Sequence, residues 1–262
     1  KGNKLQIIEV ESIINSLIIH FEKFGKLDKK IVLNHINNGE SNEESESILY
    51  GSNGNKILAK TFNQKKIVEL YSKNDLLFVV GPAGTGKTYV SVALGVRALK
   101  EKKVKKIIIT RPVVEAGENL GFLPGDLQDK IDPYLKPIYD ALEDMIPISK
   151  MKKFIENKTI EIAPLAYMRG RTLKNAFILL DEAQNTTEAQ LKMFLTRLGQ
   201  NSKMIVTGDV SQIDLRKNQS SGLVDAQKKL NNLEGIAFTF LDSSDVLRHS
   251  LVKKILDKYQ KS

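Results

Sequence analysis

The chain has no cysteine and no tryptophan, and aromatic residues make up only 6% of its 262 positions. Without cysteine, disulfides and thiolate metal centres are excluded. A chain of this length buries a large core without such staples. Few aromatics leave little material for base-stacking platforms. No apolar stretch approaches the roughly 18–20 residues that cross a bilayer, and no secretory leader is recognisable after Lys1. These absences predict a cytoplasmic protein. Lysine, by contrast, is plentiful, and the formal net charge is +9. Such an excess favours polyanionic partners, nucleic acid among them, although the densest run, Lys100 to Lys106, reads first as a solvated loop.

Residues 1–38 read as a small α/β appendage: a strand over Leu5–Val10, then two helices. The first helix carries Ile13, Ile14, Leu17, Ile18 and Phe21 at helical spacing, which predicts a core-facing stripe. Residues 39–55, rich in Gly, Ser, Asn and Glu, read as a linker or mobile loop. From residue 56 to 262, apolar β-like runs recur at Leu76–Val80, Lys106–Thr110, Thr159–Ala163, Ala176–Leu180, Lys203–Thr207 and Ile236–Phe240, with helical segments between most of them. That alternation predicts an α/β domain, a mainly parallel sheet with helices on both faces. Ligand sites in such sheets form beyond the carboxyl ends of the strands.

One such end is occupied by Gly81-Pro82-Ala83-Gly84-Thr85-Gly86-Lys87-Thr88, set between an apolar strand and a helix-like stretch. Strand, glycine-rich turn, Lys-Thr and helix is the context of a phosphate-binding P-loop. Gly81, Gly84 and Gly86 let the backbone curl with its N–H groups inward. The helix start adds free N–H groups and a positive dipole end. Lys87 is expected to reach the β- and γ-phosphates of a nucleotide, and the Thr88 hydroxyl to ligate Mg²⁺. A second strand ends in Asp181-Glu182-Ala183-Gln184. Asp181 suits Mg²⁺ coordination, usually through a metal-bound water, and Glu182 is placed to orient and deprotonate the attacking water. A third ends Thr207-Gly208-Asp209-Val210-Ser211-Gln212.

Together these motifs resemble the first motor domain of superfamily 1 helicases. There the residue matching Gln212 senses the γ-phosphate, and the one matching Gln64, in Phe62-Asn63-Gln64 upstream of the P-loop, reads adenine. An amide satisfies both donor and acceptor of an adenine edge. No Asn-Lys-x-Asp guanine motif is present, so ATP is the expected nucleotide. The likeness sharpens further. Thr110-Arg111-Pro112 through Gly125, Asp132-Pro133-Tyr134-Leu135, Tyr167-Met168-Arg169-Gly170-Arg171-Thr172, Asp181 through Thr187 and Asp245-Val246-Leu247-Arg248-His249 resemble the signature of the PhoH-like ATPases, from about Lys56 to Tyr259.

That resemblance implies a RecA-like P-loop NTPase fold and a cytoplasmic ATPase tied to RNA metabolism. Some members carry a nuclease domain; others are associated with an endoribonuclease. Thr110, Arg111, Arg169 and Arg171 are then candidates for the RNA backbone. Helicases of this kind complete their site with arginines from a second motor domain, and residues 210–262 are too short for one. Arg248, supplied by a neighbouring subunit in a closed ring, is the expected substitute. The competing expectation is an ATP-gated switch that recruits a protein partner.

Overall fold

The computed structural model describes residues 47–112, 127–216 and 218–247, together with scattered residues between 10 and 33; of residues 127–133 it describes the backbone. Six parallel strands form the centre, in the order β5-β4-β6-β7-β3-β8. They are β3 (Leu76–Val80), β4 (Lys106–Arg111), β5 (Ile160–Pro164), β6 (Ala176–Leu180), β7 (Lys203–Gly208) and β8 (Ile236–Phe240). Each falls on an expected run, with an end displaced by at most a residue. The connections supply α1 (Phe62–Lys73), α2 (Lys87–Lys100), α3 (Leu127–Met145), α4 (Ile148–Glu156), α5 (Glu188–Leu195) and α6 (Gly222–Leu230).

Alternate side chains of each strand enter opposite core layers, as the period of two requires. Leu77, Val79, Phe177 and Leu179 pack beneath α1 and α2 with Ile67, Val90 and Leu94. Leu76, Phe78, Val80, Ile178 and Leu180 pack beneath α5 and α6 with Leu191, Phe194 and Leu223. Both layers are dry: Phe78, Phe177 and Phe194 are fully buried.

Gly95 shows how closely α2 approaches the sheet. A Cβ there would lie 2.5 Å from Cδ1 and 2.6 Å from Cε1 of Phe177, whose ring is itself held edge-on by Tyr71 at 5.9 Å. Gly95→Ala gains up to about 1 kcal/mol of helix propensity and loses about 1–3 kcal/mol to overpacking. Because Phe177 has nowhere to go, the clash wins. The expected result is a melting temperature lowered by about 2–6 °C in a thermal denaturation series; an unchanged or higher value would show that the ring yields.

The segment read as a linker is shorter than expected. Ser47–Tyr50 form β1, paired antiparallel with β2 (Lys56–Leu58), and Ile48 and Leu49 are fully buried. Three consecutive apolar residues, Ile48-Leu49-Tyr50, precede a Gly51-Ser52-Asn53-Gly54 turn, and the polar surroundings masked this hairpin signal. Lys100 ties the hairpin to the domain by donating to the Tyr50 carbonyl at 2.9 Å. Residues 39–46 lie outside the described residues.

Of the N-terminal stripe, Ile14, Ile18 and Phe21 are about half exposed, and Ile13 and Leu17 are half-buried. Val10, expected at the end of a strand, is helical; the rest of Leu5–Val10 lies outside the described residues. Among the described residues no helix is long and apolar enough to cross a membrane.

Candidate functional site

Sheet order brings four strand ends side by side: β4, β6, β7 and β3. The chemically loaded residues project from that carboxyl edge. The P-loop leaves β3 at Gly81, whose N–H donates to the Gly208 carbonyl at the end of β7 (3.1 Å). A Cβ on Gly81 would come within 2.7 Å of the Leu241 carbonyl oxygen, so a bare backbone is needed there for close approach. Gly84 and Gly86 take φ of +81° and +82°, the left-handed region that a Cβ disfavours. Gly86 then caps α2 without a side chain, leaving the first amides of the helix facing the loop. Inside the loop Lys87 Nζ donates to the carbonyls of Gly81 (2.6 Å) and Pro82 (2.8 Å). Thr85 is buried and donates to the Pro82 carbonyl at 2.8 Å, while Ala83 and Pro82 line the curl.

Across from the loop, Asp181 is 3% exposed and its Oδ1 accepts two hydroxyl bonds, from Thr88 (2.8 Å) and Thr207 (2.6 Å). A hydroxyl that gives its proton to a carboxylate turns its lone pairs elsewhere, toward any cation beside it. Among the described residues no cluster of three acidic or histidine side chains could hold a metal alone. One hydroxyl, one carboxylate and substrate oxygens are nevertheless the hard donors that Mg²⁺ uses, since it keeps waters and phosphates in its shell. The residues present fit that ion.

Glu182 follows at φ +56°, a left-handed conformation uncommon for a side-chain-bearing residue and characteristic of functional turns. Its Oε1 lies 3.0 Å from Arg111 Nη2 and its Oε2 accepts from Gln184 Nε2 at 2.5 Å. Gln184 is 1% exposed, and its Oε1 accepts the Asp209 N–H at 3.0 Å. Asp209 in turn accepts from Ala83 N–H of the P-loop at 3.1 Å and from the Ser211 N–H and hydroxyl. A continuous chain of hydrogen bonds therefore joins Glu182 to the P-loop through Gln184 and Asp209. No role had been expected for either residue. Their signal in the sequence is a polar side chain within four residues of the end of a strand with an apolar centre.

Gln64 is 2% exposed; its Oε1 accepts the Lys60 N–H (2.8 Å) and its Nε2 donates to the Thr85 carbonyl (2.9 Å). The amide thus braces the P-loop against the start of α1, and the bare Gly86, where a Cβ would lie 2.8 Å from its Nε2, lets it approach. Thr110 is fully buried, with no hydrogen-bond partner for its hydroxyl among the described residues. Arg111 faces inward, to Glu182 and to the Tyr134 carbonyl, which accepts from Nη1 at 2.6 Å. Arg171 grips Glu161 through two bonds of 2.6 and 2.7 Å, which hold the Glu161 carboxyl below the usual carboxylate range. Only Arg169 of these candidates is exposed. Gln212 sits on the exposed turn after β7, its N–H on the Asp209 carbonyl at 3.0 Å. Arg248 lies outside the described residues; its neighbour Leu247 donates its N–H to the Gly84 carbonyl (3.1 Å) of the same chain.

The family model described as PhoH-like protein matches residues 56–260. A PhoH-like protein of Bacillus subtilis is 52% identical over 258 residues, covering 96% of this chain and 81% of that protein. Protein PhoH of Escherichia coli K12 is 45% identical over 205 residues, covering 78% of this chain and 58% of that protein. Among solved structures, Pif1 helicase from Candida albicans aligns at 15% identity and a TM-score of 0.42, over 77% of this chain and 43% of that one. With its P-loop, its acidic strand end and a family match over most of its length, this chain belongs to the PhoH-like protein family and is a P-loop NTPase by fold.

Proposed function

We propose that this protein hydrolyses ATP with Mg²⁺ and that the reaction is coupled to single-stranded RNA. The carrying observation is the meeting of Thr88 and Asp181 at 2.8 Å, directly beside the curl that holds Lys87. In this reading Lys87 Nζ exchanges the Gly81 and Pro82 carbonyls for phosphate oxygens, and the loop and α2 amides cradle the rest. Thr88 and Asp181 hold Mg²⁺, which when bound neutralises charge on the phosphates. Glu182 orients a water and takes its proton as the water oxygen bonds to the γ-phosphorus. The bridging oxygen bond breaks and ADP leaves. Gln212 follows the γ-phosphate from the turn after β7. General-base action of this kind contributes about 10²–10⁴-fold in rate.

RNA enters through the net charge of +9 and the exposed Arg169, just past the turn that follows β5. A cytoplasmic setting, assembly into a ring with Arg248 serving a neighbour, and docking with an endoribonuclease rest on the family likeness, not on a contact within this chain. The test is ATP turnover by the purified chain with Mg²⁺, with and without single-stranded RNA. The expected result is Mg²⁺-dependent release of phosphate that RNA accelerates. Turnover indifferent to RNA would favour an ATP-gated switch, and transfer of phosphate to a small metabolite would overturn the reading.

A further inference from the structure

Both oxygens of Glu182 are spoken for by the protein itself, one by Arg111 and the other by Gln184. One contact on each oxygen leaves lone pairs to spare, but the two together fix the direction in which the carboxylate can meet a water. Gln184 is the fixed partner, buried and anchored on its other side by the Asp209 N–H. Arg111 is the partner that can leave. It is the last residue of β4, its side chain is 21% exposed, and its other described bond is to a main-chain carbonyl.

We propose that Arg111 is a latch on Glu182, and that a phosphodiester of single-stranded RNA laid across the β4 and β5 ends opens it. This rests on the reading of Glu182 as the base. A guanidinium binds carboxylate and phosphate with the same forked geometry, so the exchange is close to balanced. Contacts that RNA makes elsewhere then decide it, because only the differential interaction with the open state shifts the equilibrium.

The turn that follows β5 is the surface assigned to those contacts. In the sheet Arg111 is paired with Pro164, the last residue of β5. A short 3₁₀ turn, Leu165–Met168, begins directly after it. Leu165 and Met168 are buried and anchor the turn, while Tyr167 between them is 56% exposed. Exposed Arg169 follows, and then Gly170 at φ +75° with open space around it. Arg171 pins the base of the turn to Glu161. A rigid turn thus presents an aromatic face and an arginine beside the strand end that carries Arg111. Arginines alone would also suit an acidic protein segment, but an exposed ring among them suits a base that can stack on it.

The test compares wild type with Arg111→Ala, Arg111→Gln and Tyr167→Ala in Mg²⁺-ATP turnover, titrated with polyuridylate. Arg111→Gln keeps a polar side chain at this position and loses the charge that holds Glu182, so it guards against a folding defect in the alanine variant; melting curves check both. The expected result is that both Arg111 variants turn over without RNA on the order of tenfold faster than wild type. That factor is about 1.4 kcal/mol, within reach of one part-buried ion pair. RNA should add little more. Tyr167→Ala should keep the maximal rate and need on the order of tenfold more RNA for half-activation.

If wild type hydrolyses no ATP, the functional reading fails and the latch with it. If wild type is stimulated by RNA and the folded Arg111 variants keep a low basal rate, the latch alone fails. Equal stimulation by polyglutamate or inorganic phosphate would overturn the assignment to RNA.

Discussion

Glu182→Gln is expected to slow ATP turnover by about 10²–10⁴-fold while leaving Mg²⁺-ATP affinity near that of wild type. The side chain contacts Arg111 and Gln184, and no P-loop residue has a described bond to it, so phosphate binding does not depend on its charge. The substitution is nearly isosteric, yet it is not silent toward the fold. Gln184 cannot rotate its amide to suit the new side chain, since its Oε1 already accepts the Asp209 N–H. A glutamine at this position has one oxygen for two donors, and one of them loses its partner at a cost of about 1–3 kcal/mol. The kinetic pattern separates the two effects. Loss of the base lowers kcat and leaves KM in place, whereas a disturbed site raises KM as well. Single-turnover hydrolysis with binding of a fluorescent nucleotide analogue measures both, and a loss of less than tenfold in kcat would move the base to another residue.

The fold was legible because its signals are local. Each of the six strands is an apolar, often β-branched run bounded by polar turns, and each appears within a residue of its expected ends. The P-loop was legible for the same reason, being a single continuous motif. What could not be read was anything that depends on which strand lies beside which. The chain from Glu182 through Gln184 and Asp209 to Ala83 exists because β7 lies between β6 and β3. Arg111 meets Glu182 because β4 lies against β6. Neither adjacency is written in a local pattern. Gln64 is a similar case: its place at a helix start was plain, but its distance from Gly86 is tertiary. Thr110 is different. Ile108, two residues before it, faces the α5–α6 side of the sheet, and the period of two puts Thr110 on the same inner face. Its burial was available from the alternation and was missed because a strand end was read as surface.

Asp181→Asn should separate folding from metal binding within a single residue. Oδ1 of Asp181 accepts both the Thr88 and the Thr207 hydroxyls, and asparagine retains that oxygen, so β6, β7 and α2 stay joined. The melting temperature of the nucleotide-free variant is therefore expected to stay close to that of wild type. The negative charge is what disappears, together with one acceptor oxygen, which becomes an N–H₂ pointing its hydrogens into the space a cation would share with Thr88. Carboxylates that orient a metal-ligating group cost about 10–100-fold in metal affinity when altered, and Asp181 stands in that relation to the Thr88 hydroxyl. Titrating Mg²⁺ into chain and ATP by calorimetry should thus show half-saturation displaced upward by about that factor, with the Mg²⁺-independent part of nucleotide binding intact. Lys87, whose Nζ lies on the Gly81 and Pro82 carbonyls, and the loop amides supply that remainder. The opposite pattern, a collapsed melting temperature with an unshifted Mg²⁺ titration among the molecules that stay folded, would make Asp181 a structural tie between strand ends. The cation would then have to be held from the substrate side, by phosphates and Thr88 alone.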